Sequence, residues 1–333
     1  MRTHVISSRL LYVFMLGLMI SLAACGQGNN PQATNSTPNT SAVTPTPALD
    51  VYGTPITIPK SAPQRIVSLA PSISEILAAL NLQSHVVGVD AFTNYPASMA
   101  SIKKVSSSTG FNVESIVALK PDLVLSSGGL SNKYDTQLTR LGLQVIDLPA
   151  PDFAQTLDQI TLVGRLTHTE TVAQPLVKQL QQQITQIHNT IKGTAATKAL
   201  LEVDNSTPGK PYVFGGGSFG DEMAQYANIT NIFHGNKTNG GYPQVNDEAV
   251  IAANPQYVIL TEDLLYGGQP LAAYKRANWG NIAAIKSHHV YHINSDIMQR
   301  PGPRIVQGLR CLAQIVHPDK FSEKLPDYCA ASA

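Results

Sequence analysis

Apolar residues in this chain come in short runs, separated by stretches where they recur every three or four positions. Arg65-Ile66-Val67-Ser68-Leu69, His85-Val86-Val87-Gly88-Val89, Asp122-Leu123-Val124-Leu125 and Gln144-Val145-Ile146-Asp147-Leu148 are short and nearly continuous in apolarity. Such runs predict strands buried on both faces. Helices are predicted between them, over Pro71 to Leu80, Glu114 to Leu119, Tyr134 to Leu141 and Phe153 to Arg165. Ser72, with Glu75 three residues on, reads as an N-cap and its capping-box partner. Strands alternating with helices give parallel β-α units with helices on both faces of the sheet.

The pattern then lengthens. Val172, Leu176, Leu180, Ile184, Ile187 and Ile191 step by three or four residues, a single helical stripe. Such a helix spans roughly 30 Å, tolerates Pro175 only near its start and has Gly193 as a C-terminal stop. Alternation resumes with strands at Ala199 to Val203, Tyr257 to Leu260 and Val290 to Ile293. Helices are expected near Asp221 to Tyr226, Asp247 to Ala253, Leu271 to Ala277 and Arg304 to Val316. The expected fold class is α/β: two Rossmann-like lobes with parallel sheets, residues 51–168 and 194–333, joined by one long helix, residues 169–193.

An internal echo supports the division. Glu114-Ser115-Ile116-Val117-Ala118-Leu119-Lys120-Pro121 leads into a buried strand in the first lobe. Glu248-Ala249-Val250-Ile251-Ala252-Ala253-Asn254-Pro255 does the same in the second. Each proline ends its helix, and each glutamate sits in a first turn, where it suits the helix dipole. Two equivalent acids on two lobes also suit a two-fold symmetric partner.

The N-terminus carries different information. Arg2 and Arg9 precede the uncharged run Leu10–Leu22, shorter than the ~20 residues a membrane-spanning helix needs. This pattern reads as a secretory signal over residues 1–24. Leu22-Ala23-Ala24-Cys25-Gly26 resembles the lipobox of bacterial lipoproteins, which implies cleavage before Cys25 and lipid attachment to its thiol. Gly26 to Ala48 has no charge and no aromatic, with Pro31, Pro38, Pro45 and Pro47 among Asn, Thr, Gln and Ser. It reads as a disordered tether, so residues 25–50 are expected to link a lipid anchor to the globular body.

Removing the signal takes away two arginines and no acid, turning a formal charge of +1 into −1. That balance gives no support for nucleic-acid binding, which needs a basic footprint. With Cys25 lipidated, Cys311 and Cys329 remain. An oxidising compartment allows a disulfide between them, and spacing leaves the question open.

Taken in order, several segments resemble one family. They are Arg65-Ile66-Val67-Ser68-Leu69-Ala70-Pro71-Ser72, Val87-Gly88-Val89, Asn94-Tyr95-Pro96, Ile116-Val117-Ala118-Leu119-Lys120-Pro121-Asp122-Leu123-Val124, Tyr242-Pro243-Gln244-Val245 and Arg300-Pro301-Gly302-Pro303-Arg304-Ile305. The chain is similar to the class III substrate-binding lipoproteins of ABC importers for cobalamin, haem and iron-siderophores, and most like the cobalamin-binding members. The resemblance implies a monomer with a rigid inter-lobe helix, a cobalamin or ferric chelate held between the lobes, and no covalent chemistry or cofactor. It implies that Glu114 and Glu248 dock onto a permease dimer with its ATPase. Tyr95, Asp296 and Arg300 match cleft positions, while Tyr242, Ser108 and Ser126 stand where cobalamin binders place tryptophans. Arg300 would then pair with an anionic or carbonyl group of the ligand. Ala227 replaces the family's partner for Cys311, leaving Cys329 as a substitute.

Other chemistry finds less support. Val213-Phe214-Gly215-Gly216-Gly217-Ser218-Phe219-Gly220 lacks the residues of a phosphate loop. It is expected to form cleft wall, with Phe214 touching ligand. His288, His289 and His292 read as surface residues. Met298 either touches ligand or packs. A secreted metal-dependent enzyme on the same two-lobed fold would need cysteines or histidine–acid clusters facing the cleft, and the cysteines stand near the chain ends. A sensing or adhesion lipoprotein is the other alternative, which a neighbouring permease gene would separate.

Overall fold

The computed structural model describes residues 48–330, except 108, 265 and 266. The signal, Cys25, most of the tether and Ser108 therefore lie outside the described residues. Ala48–Asp50, assigned to the tether by composition, are bonded to the body: Leu49 bridges to Pro55, and the Val51 amide donates to the Asp147 carbonyl at 2.8 Å.

The first lobe runs β1 (Ile66–Ser68), α1 (Pro71–Ala79), β2 (Val86–Val89), α2 (Ala97–Ala100), β3 (Ser106–Ser107), β4 (Gly110–Phe111), α3 (Val113–Ala118), β5 (Leu123–Ser127), α4 (Asn132–Arg140), β6 (Val145–Leu148) and α5 (Gln155–Leu166). Its main sheet, in the order β2-β1-β5-β6, is parallel throughout. Crossover helices cover both faces of such a sheet, and β1 and β5 are accordingly buried along their whole length.

α6 (Glu170–Thr190) follows, with Pro175 inside it. It packs on α5, where Gly164 allows the close approach: a Cβ there would lie 2.5 Å from that of Ala173. The second lobe continues with β7 (Thr197–Asp204), β8 (Tyr212–Val213), α7 (Phe219–Tyr226), β9 (Ile229–Asn231), the turn-like α8 (Thr238–Gly241), α9 (Asp247–Ala253), β10 (Tyr257–Leu260), α10 (Pro270–Ala273), α11 (Ala283–Lys286), β11 (Val290–His292), α12 (Ser295–Gln299) and α13 (Ile305–Val316). Its sheet runs β11-β10-β7-β8, with β9 also on β7. All pairs are parallel except β7–β8.

The structure corrects the cap of α1. Ala70 is its N-cap, without a side-chain bond, and Pro71 opens the helix. Glu75 reaches away to Arg304 instead. A disulfide joins Cys311 on α13 to Cys329, tying the C-terminal segment back onto the core. Among the described residues no helix is long and apolar enough to cross a membrane.

Candidate functional site

Loops that leave the C-terminal ends of parallel strands converge on a crevice, the usual place for a ligand in α/β folds. Here the segments after β1, β5 and β6 meet α7, α12 and the Tyr242 loop around a cleft of about 580 Å³. Phe92, Leu130 and Pro151 line it from the first lobe, and Phe219, Tyr242 and Gln299 from the second.

Local chemistry sets each of these in place. The Phe92 amide donates to Asp90 Oδ1 at 2.7 Å, a turn that leaves the ring 63% exposed at the rim. Leu130, 60% exposed, follows Gly128 and Gly129, both at positive φ (72° and 75°), where glycine carries no steric penalty. That loop is held from beneath. Gly129 N donates to Asp147 Oδ1, and the Ser131 hydroxyl donates to Asp135 Oδ1 at 2.5 Å. Burial and the neighbouring Asp135 push Asp147 up to about 6, although the Gly129 amide pulls the other way. The Tyr242 ring lies on Phe214 at 5.7 Å, and its burial raises the phenol above its ordinary range.

One end of the cleft carries an ionic network that crosses between the lobes. Arg304 donates to both oxygens of Glu75 on α1, at 2.8 and 2.5 Å. Arg300 pairs with Asp296 at 2.6 Å, donates to Asn94 Oδ1 at 2.6 Å and lies 3.5 Å from Glu75. Asn94 Nδ2 in turn donates to Asp296 at 2.9 Å. Elsewhere, Phe153 bridges the lobes by packing on Phe219 and Tyr226, with its amide donating to Glu222 at 2.8 Å.

Tyr242, Asp296 and Arg300 line the cleft. Tyr95 does not. Its ring lies under the Arg304 guanidinium, 4.1 Å away, beside the network. Phe214 is a correction: it is fully buried beneath Tyr242, filling space that the missing side chain of Gly220 leaves open. The Gly-rich loop contributes Phe219 to the cleft, while Gly215 and Gly216 pack against the 234–243 segment. Ser126 is also buried, and its neighbour Ser127 faces the cleft, since successive strand residues point to opposite sides. Met298 packs in the core, and Trp279 is buried under Arg276. His288 is exposed, but two of the three expected surface histidines are half-buried: His289 stacks on the Tyr257 ring at 4.4 Å, and His292 Nε2 lies 2.7 Å from the Glu262 carbonyl. No group of three His, Cys, Asp or Glu able to hold a metal occurs among the described residues.

Sequence reasoning missed Phe92, Leu130 and Phe219. The available signal was position: Phe92 and Leu130 each stand two residues beyond a turn-former that directly follows a strand, Asp90 after β2 and Gly128 after β5. Glu114 and Glu248 are both exposed, each two residues after an asparagine N-cap.

Comparison with known proteins agrees with this geometry. The sequence model described as periplasmic binding protein matches residues 66–297. The ABC transporter substrate-binding lipoprotein YvrC of Bacillus subtilis is 32% identical over 320 residues, 94% of this chain and 98% of that protein. The vitamin B12-binding protein of Salmonella typhimurium is 29% identical, over 75% of this chain and 89% of its own length. A solved structure of a possible iron-binding (periplasmic solute-binding) protein from Staphylococcus epidermidis superposes with a TM-score of 0.67 at 27% identity, covering 77% of this chain and all of that one. Such proteins bind solutes outside the cytoplasm for ABC transporters and are not enzymes, and with two lobes facing one cleft this chain belongs to the periplasmic binding protein family.

Proposed function

We propose that the protein captures cobalamin, or a haem- or siderophore-type metal chelate, between its lobes and delivers it to the permease of an ABC importer. The cleft lined from both lobes at their strand C-terminal edges is the observation that carries this reading. Its volume is in the range of small-molecule and cofactor sites. The names of relatives for vitamin B12 and iron support the ligand class. Glu114 and Glu248, exposed at equivalent helix starts, would dock on the two permease subunits, and Cys25 would carry the lipid that keeps the monomer at the membrane.

A thermal-shift screen with cyanocobalamin, cobinamide, haem and ferric siderophores tests the role. A ligand at a hundredfold excess over its Kd should stabilise the fold by about 2.7 kcal/mol, which raises the melting temperature by several degrees. A flat response to the whole panel would reject the proposal.

A further inference from the structure

The charges at the cleft are already spent on one another. Among the described lining residues the acidic and basic side chains are Asp296 and Arg300, and they pair at 2.6 Å. The Nη1 and Nη2 groups of Arg300 also donate to Asn94 Oδ1 at 2.6 Å and the Phe92 carbonyl at 3.3 Å, with Glu75 3.5 Å away. Arg304 is engaged with both oxygens of Glu75 and lies 3.8 Å from Asp296. Two carboxylates therefore face two guanidiniums and cancel. A ligand carboxylate or catecholate would compete with Asp296 and Asn94 for the Arg300 Nη groups, and displacing Asp296 would leave a largely buried charge without its partner. Losing one partner of such a pair costs more than an exposed ion pair returns.

The rest of the cleft offers the opposite chemistry. Phe92 and Leu130 stand exposed at the rim, with Phe219 and Tyr242 also on the lining. Clustered exposed apolar side chains around a concavity mark a contact surface for an apolar ligand face. The hydroxyls of Ser72, Ser127 and Tyr242 are uncharged partners suited to amide or hydroxyl groups.

Resting on the proposed chelate-binding role, we infer that the cleft selects a ligand of little or no net charge. That ligand has an extended apolar face edged with amide or hydroxyl groups, and polyanionic chelates are rejected. An amide-bearing corrinoid and an uncharged ferric trihydroxamate share this chemistry. Haem, with two carboxylates, and a trianionic ferric tris-catecholate do not.

Calorimetric titration of the full-length protein in detergent, using those four chelates at low and high salt, decides the matter. The better uncharged chelate should bind at least about 100-fold tighter than either anionic one, with an affinity nearly independent of salt. Which uncharged chelate binds separates the corrinoid from the hydroxamate source. In D296N the guanidiniums are no longer balanced, and the affinity ratio should shift toward the anionic chelates by about tenfold; an unshifted ratio counts against the inference. Tighter binding of either anionic chelate by the unaltered protein overturns the inference but leaves the chelate-binding role standing. Binding of none of the four removes that role, and the inference with it.

Discussion

Glu262 lies just beyond the end of β10, 2% exposed, and neither of its carboxyl oxygens has a donor. Next to it Arg276 grips both oxygens of buried Glu202 at 2.6 Å. One guanidinium thus serves two acids, and burial, reinforced by the Glu202 carboxylate, pushes Glu262 up to about 9. The folded protein therefore keeps a proton that the unfolded chain releases near 4.5. Stability from this group is full at acid pH and is lost as pH rises through that window. Asp147, raised to about 6, adds a loss of the same sign at the acid end. The melting temperature should fall between pH 5 and pH 9, and Glu262→Gln should flatten that fall and melt higher than the unaltered protein at pH 9, as scanning calorimetry would show. Glu75 makes the complementary case. Glu75→Ala leaves the Arg304 guanidinium without its bidentate partner, and urea unfolding should register a loss of about 3–5 kcal/mol. Neither role was legible in the sequence. Local spacing assigned Glu75 to a helix cap, because its true partner is 229 residues away.

Helices α3 and α9 show what local pattern does reveal. Both open with an asparagine whose side chain accepts an amide at 2.9 Å, Ser115 for Asn112 and Ala249 for Asn246. Both end at a residue of positive φ directly before proline, Lys120 (47°) and Asn254 (46°). The following side chain then ties down the start of the neighbouring strand: Asp122 accepts from Gln64 N and Arg65 N, and Gln256 accepts from Lys198 N. The echo seen in the sequence is thus a repeated supersecondary unit. Asn112→Ala should cost about 1 kcal/mol in denaturant unfolding. Replacing Glu114 and Glu248 by alanine removes no side-chain bond, so the double variant should keep its melting temperature and ligand affinity while uptake through the permease falls. Unchanged uptake would remove the docking assignment. The long and doubly buried strands were legible for the same reason as these helices, since burial on both faces forces a continuous apolar run. β8 and β9 were not, because two- and three-residue pairings on the side of β7 away from β10 impose no pattern long enough to read.

At the scale of the whole molecule the lobes are restrained in more than one place. α6 packs on both α5 and α13. Phe153, 1% exposed, is wedged against Phe219 and Tyr226. The Glu75–Arg304 and Asn94–Arg300 contacts bind the two halves at one end of the cleft. Any wide opening would have to break a largely buried ion pair and expose an aromatic cluster at once, whereas a slight rocking about these points breaks neither. The helix was legible from its stripe of apolar residues, but the contacts that limit motion join distant parts of the chain and leave no periodic trace. The expectation is a small change in radius of gyration between ligand-free and ligand-saturated protein in solution scattering, without the large contraction of a hinged binding protein. In a Glu75→Ala, Asn94→Ala double variant the restraint at the cleft end is gone, so the ligand-free form should expand and the contraction on binding should grow. An unchanged scattering profile for that variant would show that α6 and Phe153 suffice to hold the lobes in place.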